Sequence, residues 1–344
     1  MSREKNYNIE LLRVIACVMV VCIHVSNYYS RGYGLGEVSH ASYEFSLLIN
    51  GVSRLAVPIF FMISGYLLLG EPVLVKKNTR RVWNMLLTLL LWSGIYLVWN
   101  YFYRDRVYDF RLLLEEPVKK HLWYLYVLLG LYIVLPFLQT MFQNMQESLL
   151  CQFACLWFFF LAVEYVLALC KLDVTYPVPL VGTFCYVGYF ALGYVIKCMK
   201  LHSLLTSRLC YVGAGVALAV TIVLTYALTV TRGEHYEKLF EYRNPLIAVA
   251  AGLIFYDVLK NEHRPYAEKT KRVLQFLAKH SFTIYLCHIL FLDIVKLEFL
   301  PRSISAFVGI PLYCGFVFGG ALLFSVVWKC VVEKGKKFVE IKSQ

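Results

Sequence analysis

Charge is what this chain has least of. Of its 344 residues, 16% are Asp, Glu, Lys or Arg and 60% are apolar, against roughly 25% charged in ordinary soluble domains. Mean hydropathy is +0.62, which excludes a soluble globular protein and describes an integral membrane one. Long polar loops are also missing: the widest gap between apolar runs is about residues 104–121, so residues 1–344 read as a single transmembrane domain with no second, soluble one. There is no internal repeat and no low-complexity stretch. The glycine run GYGLGE at 32–37 lacks the flanking strand and helix that a dinucleotide site requires. Cysteine is present, eleven in all, but Cys17, Cys22, Cys155, Cys185, Cys287 and Cys314 lie inside apolar runs, where the thiol acts as a small hydrophobe. No disulfide framework is expected. Cys151 and Cys155 stand one helical turn apart without a histidine or a second pair, so no metal site is expected either. The start MSREKNYNIE is short and mixed in charge, and no small-residue cleavage site follows the first apolar run, so the first helix is expected to remain in the mature chain.

What is there in abundance is apolar sequence of membrane-spanning length. A span needs about 20 apolar residues, and ten runs qualify, at about 9–28, 45–69, 81–103, 122–140, 149–170, 180–199, 208–230, 244–260, 273–295 and 304–330. The expected fold is all-α: a polytopic membrane protein of about ten transmembrane helices. Aromatic residues, 26 Tyr and 6 Trp among them, gather near the ends of these runs as rings do at the headgroup level. The net charge of +12 comes mainly from short loops. Lys and Arg favour the side that also holds the chain ends, which by the positive-inside rule places both termini in the cytoplasm. The same rule accounts for the basic excess, so no nucleic-acid partner is implied.

Ionisable groups inside a span are costly and mark function by default. Arg13 and His24 lie eleven residues apart in the first run, just over three whole turns, so they leave one face of one helix about 16 Å apart along its axis. In the ninth run, Ser281, Tyr285 and His288 recur at four and three residues and form a second polar stripe. His288 sits as deep from its own end as His24 does, so the two imidazoles are expected at one level. Arg54 lies too far into the second run to reach water easily and should face the interior. Four residues on from Arg54, Pro58 weakens the helix by removing a backbone donor, and Ser64 and Gly65 follow in FFMISGY, where small residues let helices approach closely. VKKNTRR at 75–81 concentrates positive charge, including Arg80 and Arg81; a polyphosphate, anionic lipid or topology alone would each explain it. His121, Trp123 and Tyr124 stand at the mouth of the fourth run, as an aromatic belt or as a surface on which a sugar stacks.

Taken in order, these marks resemble the membrane acyltransferase family 3. They are Arg13 and His24 as R-x10-H, Phe60 to Gly65 as F-F-x-x-S-G, Arg80 and Arg81 opening the third helix, Leu122 to Leu125 as L-W-[FY]-L, and Ser281 to His288 as S-x-x-x-Y-x-x-H. The stretch SRLAVPIFFMISGYLLLGE at 53–71 resembles the branch that includes the enterobacterial common antigen O-acetyltransferase. Two departures stand out: Leu128, Leu129 and Gly130 where many relatives carry a glutamate, and Asn84 where many repeat an arginine.

The resemblance implies an O-acetyltransferase of the bacterial plasma membrane. It would move an acyl group, usually acetyl, from cytoplasmic acyl-CoA to a hydroxyl of a surface glycan or its lipid-linked precursor. The donor, acetyl-CoA, is a substrate, and no permanently bound cofactor is implied. In that reading Arg13, Arg80, Arg81 and Ser64 serve the CoA side, phosphate suiting the two-pronged arginine fork. His24 is a general base or a transiently acylated nucleophile, Arg54 stabilises an oxyanion, His288 and Tyr285 orient the base or the acceptor, and His121, Trp123 and Tyr124 meet the acceptor. The rival reading is a transporter or flippase, in which the same groups form a substrate site near the midplane.

Overall fold

The computed structural model describes residues 6–104, 115–170, 184–199, 205–261, 264–296 and 304–342. The start of the sixth predicted span and most of the predicted 104–121 loop lie outside the described residues. Among those described there are helices and turns and no strand. In chain order the helices are α1 (Tyr7–Gly32), α2 (His40–Ser53), α3 (Ala56–Leu68), α4 (Val75–Arg104), α5 (Trp123–Gln143), α6 (Glu147–Leu169), α7 (Phe184–Cys198), α8 (Ser207–Arg232), α9 (Pro245–Lys260), α10 (Glu268–Ile294) and α11 (Ala306–Lys342). Over its described residues each predicted run is mainly helical. Among the described residues, eight stretches are long and apolar enough to cross a membrane, counting His40–Leu68 as one, while α7 is shorter, with an apolar helix of Cys185–Cys198.

The ends follow local chemistry. Asn6 caps α1 by accepting from the Asn8 and Ile9 amides at 3.0 and 3.3 Å, which satisfies donors no helix can pair internally. Asn244 accepts from Leu246 N before α9, which opens on Pro245, where the missing N–H costs nothing. After α1 the chain turns through a short 3-10 segment, Tyr33–Leu35, and leaves through Gly36 at φ 70°, a left-handed position suited to glycine.

The second predicted run is not one helix. It breaks at Arg54 and Leu55, between α2 and α3. Pro58 has no N–H to give the Arg54 carbonyl, four residues back, so the ladder is interrupted there and resumes with Ile59 N to Leu55 O at 3.1 Å. The break occurs in the centre of the bundle: 78% of the His40–Leu68 window is buried, against 17% of α6. The α6 surface instead shows Leu156, Phe159, Val163 and Val166 outward, and α4 shows Leu87, Leu90, Leu91 and Val98, as helices do where lipid rather than water surrounds them.

Around α2 and α3 stand α1, α7, α8 and α9, with α10 packed on α1 and α11 covering α10, α1 and α2. The α3–α7 contact is close because both helices present glycine. A Cβ on Gly65 would fall 1.6 Å from the Phe190 carbonyl oxygen, and one on Gly193 would fall 2.0 Å from that of Met62. Gly65 is therefore a packing residue, the close approach expected of it from FFMISGY. At the near end of the bundle, Asn8 donates to the Val258 and Asn261 carbonyls at 3.2 and 2.5 Å, tying the start of α1 to the α9–α10 connection. The far end holds the end of α1, the start of α2 and the 3-10 turn Glu237–Phe240.

Candidate active site

Arg13 opens the site from the near end. Its guanidinium meets Glu10 at 3.4 Å and lines a cavity of about 310 Å³ shared with Ser64, Tyr124, Tyr132, Ser281 and Tyr285. Ser64 returns its hydroxyl to the Phe60 carbonyl at 2.9 Å, so its presence in the wall costs the helix little. Beside the cavity, Asn78 at the start of α4 donates to the Tyr132 carbonyl at 2.7 Å. Gln139 and Gln143 of α5 donate to the Leu68, Leu69 and Glu71 carbonyls, satisfying the orphan end of α3 and fixing the α3–α4 turn.

That turn carries Glu71, which Arg81 and Lys77 approach at 2.5 and 3.0 Å. Although partial burial opposes ionisation, these two cations hold the Glu71 carboxyl below its ordinary range. Arg81 is thus already paired, and Arg80, one residue before it, is exposed.

Tyr124 and Tyr285 end the cavity, their rings 5.3 Å apart. Beyond them lies a cluster of imidazoles. His24 and His288 are 5.1 Å apart between ring centroids, and His121 and His288 are 5.2 Å apart. The shared level expected of His24 and His288 is what the helices deliver. His121 is at this cluster and not in an interfacial belt: it is 4% exposed, edge-on to Tyr96 at 5.1 Å, with Nε2 3.4 Å from the Leu286 carbonyl. Tyr96 donates to that same carbonyl at 2.7 Å, and Tyr285 donates to the His121 carbonyl. Trp123 stands aside from the imidazoles, stacked on Tyr242 at 5.8 Å and beside Tyr186 at 5.1 Å.

His288 Nδ1 lies 2.6 Å from the Tyr285 carbonyl. A carbonyl can only accept, so Nδ1 carries the proton and Nε2 keeps a lone pair. That Nε2 is buried with no partner, a state that costs about 1–3 kcal/mol and marks an atom kept for another purpose. His24 is half-buried where His288 is fully buried, so of this pair it is His24 that a substrate can touch. Among the described residues no three His, Cys, Asp or Glu side chains are arranged to hold a metal ion.

Arg54 faces the interior as expected, 7% exposed, and its partners are ones the sequence did not indicate. Nε donates to Asn50 Oδ1 at 2.8 Å, and Asn50 donates to the Ile23 carbonyl at 3.3 Å, which ties the α2 break to α1 beside His24. Nη2 meets Glu237 at 3.4 Å, and Glu237 also takes Arg31 at 2.9 Å and Asn27 at 3.1 Å. Burial opposes the charge on Glu237, but Arg31 and Arg54 hold its carboxyl below the ordinary range. Asp293, 3% exposed at the end of α10, takes Arg104 and Lys119 at 2.7 Å each and Trp99 Nε1 at 3.3 Å. Its ionisable side chain in FLDIVK is a signal the sequence offers; Glu237, in a polar loop, offers none.

No curated protein and no solved structure matches the chain. A family model described as an acyltransferase domain matches residues 6–327, a range that contains every residue of this site. The chain belongs to the acyltransferase family 3, and is a multi-pass membrane protein of acyltransferase type.

Proposed function

We propose that the protein transfers an acyl group, acetyl in the first instance, from acyl-CoA at the near end of the bundle to a hydroxyl of a surface glycan, or its lipid-linked precursor, presented at the far end. The near end, with the basic start of α4, is then the cytoplasmic side of a bacterial plasma membrane. The observation that carries this reading is the arrangement along α1. Arg13 lines a cavity at one level and His24 meets His288 about 16 Å further along the helix, with Tyr124 and Tyr285 between them.

Arg13, with Arg80 and Arg81, takes the CoA phosphates, and the pantetheine arm rises past Ser64 to the two tyrosines, which turn aside to admit the thioester. The acceptor hydroxyl then attacks the thioester carbonyl while its proton passes to His24. His24 gives its second N–H to the unpartnered His288 Nε2, whose own proton stays on Nδ1. Arg54, held by Asn50 and Glu237, faces the negative charge that develops on the carbonyl oxygen. Collapse breaks the C–S bond, and the departing thiolate takes the proton from His24. The products are an ester and free CoA. A two-step variant, in which His24 itself carries the acyl group, uses the same contacts; rapid acid quench with labelled acyl-CoA separates the two.

The test is acceptor-dependent CoA release by protein in nanodiscs, with envelope glycolipid added. His24→Ala retains the folded protein and loses acyl transfer. Retained transfer removes His24 as the centre, and substrate movement into vesicles without an acyl donor would favour transport instead.

A further inference from the structure

At the far end, α1 presents His24, Asn27, Tyr28 and Arg31 at intervals of three, one and three residues, which is one helix face. Cations crowd this face, and the two carboxylates that answer them are already taken. Glu237 is shared by Arg31, Arg54 and Asn27, and both oxygens of Asp293 are held by Arg104 and Lys119. Lys296 is left over. Its Nζ lies 5.3 Å over the Tyr28 ring, one turn beyond His24, and among the described residues no carboxylate lies within ion-pair distance of it. Burial, opposed by Asp293 and reinforced by Arg104, Arg31 and Lys119, pushes its ammonium down to about 8, so at neutral pH it is still a cation, one that lacks a counterion among the described residues. Asn27 Oδ1 is likewise buried without a partner, an acceptor that a hydroxyl would satisfy.

On the reading that acyl transfer occurs at His24, we infer that the acceptor is an anionic saccharide, and that Lys296 binds its carboxylate or phosphate while Asn27 accepts from a neighbouring hydroxyl. A neutral glycan would leave the half-buried ammonium desolvated and unpaired, an arrangement that is costly without a partner. An anionic oxygen placed between Lys296 and Arg31 gives the Lys296 ammonium a counterion. Tyr28 stands about 6 Å along the helix from His24, so the anionic group belongs to the acylated sugar or to the residue joined to it. A uronic acid and a sugar phosphate supply the same chemistry.

Glycans released from cells carrying the protein, or its His24→Ala variant, are compared by mass spectrometry with fragmentation. The expected result is an acyl group on a sugar that carries, or directly adjoins, a carboxylate or phosphate, and the fragment masses tell which. Acylation of a neutral sugar with neutral neighbours overturns this inference and leaves the enzyme reading intact, whereas no acylated product in either sample overturns both. With the identified acceptor, Lys296→Gln raises the acceptor KM at least tenfold while the acyl-CoA KM and the melting temperature hold, and Lys296→Arg restores most of the loss. An unchanged acceptor KM in Lys296→Gln overturns the role of Lys296.

Discussion

Replacing Gly65 by alanine is the sharpest test of how the site is held. The added Cβ would lie 1.6 Å from the Phe190 oxygen, 2.6 Å from its carbonyl carbon and 3.2 Å from its Cα. These are main-chain atoms, so no rotamer change relieves the clash. Carbon approaches a carbonyl oxygen no closer than about 3.3 Å, so α3 and α7 must part by roughly 1.7 Å along that direction. Overpacking of this kind costs about 3 kcal/mol. The displacement also travels: α7 carries Tyr186, which lies beside Trp123 and Phe61, and α3 carries Ser64 in the cavity wall. A shift of about 1 Å in a positioned group can cost 100-fold in rate. Gly65→Ala is therefore expected to lower the melting temperature in detergent and to cut acyl transfer at least 100-fold in the surviving folded fraction. Gly94→Ala in α4, where an added Cβ meets nothing within 4 Å, is the control and should be neutral or stabilising by up to about 1 kcal/mol. Wild-type melting and transfer in Gly65→Ala would refute the close α3–α7 contact and the account of the site that rests on it.

Glu71→Gln releases Arg81 and Lys77 for phosphate, and the acyl-CoA KM is expected to fall several-fold at low salt, an effect that steady-state kinetics should lose as salt screens the charges. Asn50→Ala removes both the Arg54 and the Ile23 bonds and leaves buried polar groups unpaired, so unfolding should be easier by about 1–3 kcal/mol, with a fall in kcat larger than any change in the acyl-CoA KM. In the far loop, burial, opposed by Glu237 and reinforced by Arg54 and Arg31, pushes the His235 imidazole down from its ordinary 6.5 to about 4. The folded protein therefore refuses a proton that the unfolded chain accepts. Stability is complete above about pH 6.5 and declines as pH falls towards 4; His235→Phe should flatten melting curves across that window, while the loss below it, from Glu71 and Glu237, persists. Tyr285→Phe deletes the donor to the His121 carbonyl and should slow acyl transfer without altering CoA affinity.

What the sequence disclosed was whatever repeats with the period of a helix. Arg13 and His24 share a face because eleven residues make just over three turns, and His288 meets His24 because each stands at a similar depth on its own helix. What it concealed depends on the chain returning to itself. Arg54 and Glu237 are separated by 183 positions, and nothing in a polar loop announces which buried cation it will close over. His121, Trp123 and Tyr124 looked alike as aromatics at a helix mouth, yet one joins the imidazoles, one stacks on Tyr242 and one ends the cavity. Only the direction of each side chain where the 3-10 turn Lys120–Leu122 enters α5 separates them, and that direction is fixed by packing, His121 on Tyr96 and His288, Trp123 on Tyr186 and Tyr242, and Tyr124 on Phe61 and Tyr285, not by propensity.

The same geometry explains why charge is kept so scarce and so placed. On the proposed reaction, a thioester with phosphates enters from one end and an alcohol from the other, which requires cations at both ends and a dry, low-dielectric middle in which an imidazole pair can move one proton. Arg13 and Arg81 serve the near end, each with a carboxylate beside it that a phosphate can replace. At the far end Glu237 fixes Arg54 rather than yielding it, because Asn27 and Arg31 hold the same carboxylate. On that reading the two ends differ in kind: near-end pairs are expected to exchange partners when CoA arrives, and far-end pairs to stay formed through the reaction. Raising ionic strength should then weaken acyl-CoA binding while leaving kcat at saturating donor nearly unchanged, and a salt-dependent kcat would show that Arg54 is not held as the structure holds it.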